Sequence, residues 1–277
     1  MKTTMILGTL ASMGLLSAAS AASLFGVTTD NKLVSFDTAA PGSFTSSVTI
    51  TGLFDADGVT PNPGGSILNL AYNPTDARLY GIDNNANFYQ INLGGAATLV
   101  SSGFSPAGFS AGFAYDPFNN NFVFADDAAG NHSITTAGAA TTNANFTYAG
   151  GGTPSIFGLA IDQSFGTVFA IDAVNDSLST SINPLFPTNS ELSLVGGLGI
   201  DVTAFGGLVV DEDGNVFAAL STDGLTSGLY SIDPLTGAAT SLGSFGGAGL
   251  ASIAVPEPSA ALLGGLGLLA IFRRRRA

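Results

Sequence analysis

Five stretches of one pattern decide the fold: LNLAYNP at 68–74, AGFAYDP at 111–117, FGLAIDQ at 157–163, GGLVVDE at 206–212 and LASIAVP at 250–256. Each is a run of small and apolar residues that stops at Asn, Asp or Pro, the residues that favour turns. Such runs indicate strands that are buried on both faces. Spacings of 43, 46, 49 and 44 residues separate the positions taken as equivalent, which are Asn73, Asp116, Asp162, Asp211 and Val255.

Two further strands follow each of these stretches and complete the repeat. The second strands read RLYGID, NFVFAD, TVFAID and NVFAAL. The third strands read KLVSFD, NFYQIN, NHSITT, SLSTSI and GLYSID. Shorter Ser- and Thr-rich segments such as AATLVSSG supply a fourth strand. A repeat of about 45 residues with four strands is typical of a β-propeller blade.

The ends of the repeat region predict how the ring closes. The segment SLFGVT at 23–28 has the pattern of a second strand, whereas LASIAV at 250–255 has that of a first strand. The last segment would therefore complete the blade that the first one begins, which removes an exposed sheet edge. The fold predicted is an all-β, five-bladed propeller closed by pairing of its N- and C-terminal strands. A β-sandwich of similar strand count is the alternative.

Composition excludes several classes of function. The 277 residues carry a net charge of −13, with 10% charged and 45% hydrophobic side chains. A nucleic-acid-binding protein needs a basic face, which this balance argues against. The chain has no Cys, no Trp and a single His. These counts exclude thiol nucleophiles, disulfides and multi-histidine metal sites.

The first 22 residues have the organisation of a signal peptide. Lys2 supplies a positive start, residues 5–16 form a short apolar run, and Ala19 and Ala21 form a small-x-small site. Signal peptidase accepts such a site. We expect cleavage after residue 21 or 22, and hence an exported protein.

The last 23 residues, 255–277, have three unlike parts in a fixed order. Pro256, Glu257 and Pro258 come first, an apolar run at 260–272 follows, and four arginines end it. The run is shorter than the ~20 residues that span a bilayer comfortably. The arginines, which would hold that end in the cytoplasm, are Arg273, Arg274, Arg275 and Arg276.

This tail resembles the PEP-CTERM sorting signal of Gram-negative bacteria. The resemblance implies recognition by an exosortase, a membrane enzyme that cuts near the Pro-Glu-Pro motif. It also implies a transient inner-membrane anchor through residues 260–272, as a short hydrophobic helix, before delivery to the cell surface or the extracellular matrix. A plain tail anchor is the alternative.

Residues 23–255 resemble a family of secreted, propeller-like domains of unknown function. The resemblance rests on SLFGVTTDNKLVSFD, on ARLYGID with NFYQINL, and on GLYSIDPLTGAATSLG. It implies a fold and no activity. The chain therefore divides into a signal peptide at 1–22, a propeller at 23–255 and the sorting signal.

The exported part is strongly acidic, and carboxylate oxygens are ligands that calcium binds. Without Lys2, the four arginines and Glu257, the charge changes from −13 to −17, and only Lys32 and Arg78 remain as cations. Loops between second and third strands share one face of a propeller, and each carries an Asp, so a ring of carboxylates would surround the channel mouth. These residues form a weak candidate set for Ca²⁺; they are Asp30, Asp83, Asp126, Asp127, Asp172 and Asp223.

Catalytic patterns are sparse in the repeat region. His132 lies in an alternating strand without a nucleophile-elbow sequence, so a Ser-His-Asp triad is not expected. The two glutamates, Glu191 and Glu212, leave a glycoside hydrolase on a five-bladed propeller as the alternative function. We predict a non-catalytic binding propeller with no catalytic residues. Exopolysaccharide or other surface glycans are its expected ligands.

Overall fold

A computed structural model describes residues 22–108, 110–181 and 190–256. These residues form strands, turns and loops, and no helix occurs among them. The search for an apolar helix long enough to cross a membrane finds none in these ranges. The signal peptide and the hydrophobic helix of the sorting signal were both predicted for segments outside the described residues.

The strands form five antiparallel blades. Blade 1 contains β1 (Ser23–Thr28), β2 (Lys32–Asp37) and β3 (Phe44–Thr49). Blade 2 contains β4 (Ile67–Asn73), β5 (Arg78–Asp83), β6 (Phe88–Ile91) and β7 (Ala97–Ser101). Blade 3 contains β8 (Ala111–Asp116), β9 (Asn121–Asp126), β10 (Asn131–Thr135) and β11 (Ala140–Thr142). Blade 4 contains β12 (Thr147–Tyr148), β13 (Ile156–Ile161), β14 (Val168–Asp172), β15 (Ser177–Ser181) and β16 (Glu191–Gly197). Blade 5 contains β17 (Gly206–Val210), β18 (Val216–Leu220), β19 (Gly228–Ile232) and β20 (Ala239–Ser244), and β21 (Leu250–Ala254) completes blade 1.

The predicted ring closure is confirmed. Strand β21 pairs antiparallel with β1, so that Phe25 lies opposite Ala254 and Gly26 lies opposite Ile253. One detail of the predicted alignment is wrong. Val255 lines the axis beside Tyr72 rather than taking the place of Asn73, because β21 is offset by one residue relative to the other innermost strands.

The innermost strands β4, β8, β13, β17 and β21 pack directly on one another around the axis. Glycine makes this approach possible: a Cβ at Gly112 would overlap the backbone of Leu159, and one at Gly207 would lie 2.8 Å from the Ile253 nitrogen. Elsewhere a side chain joins the strands. The Leu70 N–H donates to Ser252 Oγ (3.0 Å), and Asn69 Nδ2 donates to the carbonyl of Ala111 (2.7 Å). The axis is therefore a packed core.

The strand directions give the ring two faces. The lower face carries the turns after the innermost strands, at residues 74–77, 117–120, 162–167 and 211–215, together with Val255. The upper face carries the turns between second and third strands, including the candidate aspartates. Blade 4 departs from the predicted four strands, because β12 adds to its outer edge in parallel with β16.

Candidate functional site

The depression on the lower face is too small for a ligand. Its volume is about 50 Å³, and apolar residues of the innermost strands line it together with Tyr72, Tyr115, Gln163 and Glu212. A volume of this size holds one or two waters, since a water occupies ~30 Å³ in the liquid. Ligand pockets are typically ~300–1,000 Å³.

The mouth of the axis on the upper face is larger but carries no charge. Its volume is about 210 Å³, and its lining includes Asn69, Ser110, Phe157 and Phe205 and contains no carboxylate. The aspartates predicted to surround a channel mouth therefore lie elsewhere.

Three of these aspartates are buried at the ends of second strands, where each carboxylate is bonded within its own turn. Asp83 and Asp126 are fully buried, and Asp172 is almost so. Asp83 Oδ1 accepts from the amides of Asn85 (2.9 Å) and Asn87 (2.8 Å). Asp126 and Asp172 accept from the amides of the following turns in the same way. These are Asx turns, in which the side chain replaces a backbone acceptor.

The other three aspartates are exposed and have local partners. Asp30 forms an ion pair with Lys32 at 2.5 Å. Asp223 accepts from the amides of Thr226 and Leu225, and these bonds hold the pKa of its carboxyl well below the usual value. Asp127 is exposed on the same turn as Asp126.

The aspartates do not converge on one point. Across the described ranges, no group of three or more His, Asp or Glu side chains could hold a metal ion. Calcium binding therefore stays a prediction without geometric support there.

His132 is a buried packing residue. Its ring lies edge-on to Phe104, with centroids 5.0 Å apart, and its Nδ1 is 3.2 Å from Thr142 Oγ1. Its Nε2 is 3.8 Å from Asp126 Oδ2, which is beyond hydrogen-bond distance. Burial opposes the charge of Asp126, but His132 and the amides of Gly130 and Gly108 outweigh it and lower the pKa of that carboxyl.

A larger cavity lies on the outer edge of blade 4. We call it the rim pocket. Its volume is about 630 Å³, which suits a small organic molecule. It is lined by residues 148–153, Asn175, Ser177, Leu192, Leu194 and Gly197.

The added strand β12 and a glycine turn build one wall of the rim pocket. The Ala149 amide donates to the Leu192 carbonyl (2.9 Å), which ties the wall to β16. The chain then reverses, as the Gly151 amide donates to the Tyr148 carbonyl (2.8 Å). Gly151 and Gly152 have φ of 86° and 106°, which L side chains rarely adopt. The turn therefore requires glycine.

The opposite wall supplies a buried hydroxyl without a partner. Ser177 is 3% exposed, and its Oγ makes no hydrogen bond to the rest of the described chain. An unbonded polar group that is buried costs about 1–3 kcal/mol. The oxygen itself is closed to solvent, so it bonds a ligand or a water only after a neighbouring group moves.

Tyr148 connects the rim pocket to a buried carboxylate. Its hydroxyl donates to Asp172 Oδ2, and Asn175 Nδ2 donates to the same oxygen (2.8 Å). Burial and the neighbouring Asp172 raise the pKa of Tyr148, so the phenol remains neutral at physiological pH. Both oxygens of Asp172 thus accept hydrogen bonds, from Tyr148 and Asn175 and from the turn.

The rim pocket was not among the sequence predictions. Its lining contains no charged side chain. Hydroxyl, amide and backbone groups line it together with the apolar side chains of Leu192 and Leu194 and the Tyr148 ring. Among the predicted processing residues, the structure describes Pro256 alone. The others, Ala19, Ala21, Glu257, Pro258 and Arg273 to Arg276, lie outside the described residues.

Two family models match the chain. Residues 32–254 match a domain of unknown function, DUF4394, and residues 254–276 match the PEP-CTERM protein-sorting motif. The motif marks the chain for export and for processing by exosortase, a membrane enzyme. Both predicted resemblances are confirmed.

Solved structures agree with the fold. The chain in a nidogen/laminin complex is 13% identical, with a TM-score of 0.51, and the match covers 85% of this chain and 98% of that one. A Bacteroides caccae protein of unknown function is 9% identical, with a TM-score of 0.48 over 86% of this chain and 100% of that one. No curated protein matches the sequence.

Proposed function

Because the chain belongs to the DUF4394 family and carries a PEP-CTERM sorting motif, we propose that it is an exosortase-processed surface or matrix protein that binds a neutral glycan without catalysis. The sorting motif accounts for export. Signal peptidase removes the leader in this scheme, and the propeller remains as the functional domain.

One observation supports the binding site: the rim pocket combines about 630 Å³ of space with an uncharged lining of hydroxyl, amide, backbone and apolar groups. Its chemistry selects the class of ligand. A lining that has both hydrogen-bonding and apolar groups fits a pyranose ring, which has hydroxyls at its edge and C–H groups on its faces. The net charge of −17 on residues 22–255 repels acidic polysaccharides, so the ligand is neutral.

The proposal that the propeller is non-catalytic rests on its carboxylates. Glycoside hydrolysis requires two carboxyl groups on either side of the scissile bond. Asp172, which bonds Tyr148 and Asn175 of the rim pocket lining, also accepts a hydrogen bond from its own turn.

Titration calorimetry of residues 22–256 with maltohexaose and with an alginate oligomer of equal length tests the proposal. We expect heat of binding with the neutral glucan and none with the uronate. Ser177→Asn should abolish binding, because the larger amide side chain would intrude on the lining of the rim pocket, and blade 2 has Asn at the corresponding position. Ser241→Asn, on the exposed strand β20, is the matched control and should bind like wild type.

Three results would count against this function. Binding that survives Ser177→Asn would place the site elsewhere, and equal affinity for alginate would refute the charge argument. Release of new reducing ends from maltohexaose would refute the absence of catalysis.

A further inference from the structure

Both ends of the described chain lie on the lower face. Ala22 precedes β1, and its amide donates to Thr38 Oγ1 at 3.1 Å. Pro256 follows β21, and the pairing of Phe25 with Ala254 brings the start of β1 beside the end of β21. The segments that connect the propeller to the leader and to the sorting signal therefore leave from the same face.

The connection to the apolar part of the sorting signal is short. Only residues 257–259 separate Pro256 from the run at 260–272. A fully extended chain covers at most ~3.6 Å per residue, so Pro256 lies within about 14 Å of the first apolar residue. The headgroup layer on one side of a bilayer is roughly 5–8 Å thick. While the run is in the membrane, the lower face is close to the headgroups.

Two exposed aromatic side chains stand on this face. Phe118 is 61% exposed and Phe165 is 81% exposed, although both are large apolar residues. They lie on adjacent turns, after β8 and after β13. The Phe118 ring passes within 3.2 Å of the position that a Cβ on Gly166 would take, so the two turns are in contact. The face thus presents a pair of neighbouring phenylalanines to its surroundings.

We propose that Phe118 and Phe165 enter the headgroup region of the bilayer while the sorting signal holds the chain at the membrane. Burial of apolar rings at the interface is favourable, as it is for the apolar faces of peripheral proteins. Glu212 and Asp213 are exposed on the same face, so the contact favours zwitterionic lipid over anionic lipid. The inference rests on the sorting motif and the geometry of the lower face, and it is independent of glycan binding.

The chain lacks Trp, so each introduced Trp is a unique fluorescent reporter. Phe118→Trp and Phe165→Trp place it on the lower face. Leu225→Trp is the matched control, because Leu225 is 77% exposed in an upper-face turn of blade 5. The full chain is reconstituted into phosphatidylcholine vesicles, and the fraction that floats with them is measured with acyl chains brominated near the headgroup.

We expect the lower-face reporters to lose roughly half of their emission to the brominated lipid, as a ring ~5–10 Å deep at the interface would. Leu225→Trp should be unaffected. Equal quenching on both faces would overturn the proposed orientation. Emission that shifts to the blue without quenching would indicate burial against a second copy of the chain, which would also overturn the proposal, as would unchanged emission.

Discussion

Blades 2 and 4 both place a buried aspartate at the start of the turn between their second and third strands, but blade 2 fills the space beside this turn and blade 4 leaves it open. In blade 2, Asn87 and Tyr89 begin the third strand. Cross-strand pairing places Tyr89 opposite Gly81 and Ser179 opposite Ala170, so Ser177 and Ser179 occupy the corresponding positions of blade 4. The turn of blade 4 is one residue longer, with four residues between Asp172 and Ser177 against three between Asp83 and Asn87, and the side chains at the two equivalent positions are smaller.

The closed arrangement of blade 2 is a dense hydrogen-bond network. The Tyr89 hydroxyl donates to Asp83 Oδ2 (3.0 Å) and accepts from the Phe54 amide (2.9 Å). Asn87 Nδ2 donates to the carbonyls of Phe54 (3.1 Å) and Asp55 (3.0 Å). In blade 4, Tyr148 of the added strand supplies only the phenol, and the rest of the space is the rim pocket. The comparison shows that two small residues can convert a structural turn into a cavity.

Removal of the buried aspartate should give the largest difference in stability between blade 2 and blade 4. Asp83→Ala should lower the free energy of unfolding by about 4 kcal/mol, because Asn87 and Tyr89 are fully buried and their donors cannot reach water. Asp172→Ala should cost about half as much, since Asn175 is exposed and can be hydrated. Urea unfolding of both variants measures the difference, and equal losses would show that the two turns are energetically the same.

The next test replaces the residue at each of the equivalent positions, 87 and 177, by its counterpart in the other blade. Asn87→Ser removes the bonds to Phe54 and Asp55 and should cost about 2 kcal/mol. Ser177→Asn fills an existing cavity and should change stability by no more than about 0.5 kcal/mol. Thermal unfolding of each single variant distinguishes them. A Ser177→Asn protein as unstable as Asn87→Ser would mean that the rim pocket has no room for the larger side chain.

Removal of each phenol hydroxyl should lower the free energy of unfolding by a smaller amount. Tyr89→Phe leaves Asp83 and the Phe54 amide each without one partner, so we expect a loss of about 2 kcal/mol. Tyr148→Phe should cost about 1 kcal/mol, because Tyr148 is partly exposed and water can replace its hydroxyl. Chemical denaturation at pH 7 measures both, and a larger loss for Tyr148 would reverse the comparison.

One effect appears only in alkali. Burial raises the pKa of Tyr89 from 10.0 to about 12, so the folded state favours the neutral phenol. The resulting stabilisation is complete below pH 10 and is lost as the pH rises through about 12. Urea midpoints at pH 9 and pH 11.5 should therefore fall more for wild type than for Tyr89→Phe. An identical fall in both proteins would show that Tyr89 does not titrate with folding.

The sequence predicted the fold well because each blade repeats a local pattern. The runs at 68–74 and 111–117 correspond to β4 and β8, and the pairing of β1 with β21 followed from the strand types at the two ends. The turn role of Asp83 and Asp172 was also foreseeable, since Asp favours such positions for local reasons. Their location within separate turns, away from the channel mouth, was not foreseeable, because burial within each turn depends on the packing of neighbouring strands.

The rim pocket could not be predicted in full because it depends on contacts between distant segments. Strand β12 has two residues and pairs in parallel with β16 across more than forty positions, which no local pattern indicates. A partial signal was present. The third strand of blade 2 reads NFYQIN and that of blade 4 reads SLSTSI, so small residues stand where another blade has large ones. Comparison of side-chain volume between repeats would have indicated a void.

The closure by β21 also limits where and when the chain can be processed. Ala254 is the last residue that pairs with β1, and the apolar run begins at residue 260. A cut that leaves the ring intact and removes the whole anchor must therefore fall within residues 255–259. The closing strand is also synthesised after every other strand, so blade 1 keeps an open edge until nearly all of the propeller has crossed the membrane. Ring closure therefore comes last in synthesis, and the strand that completes the ring lies next to the segment that still tethers the chain.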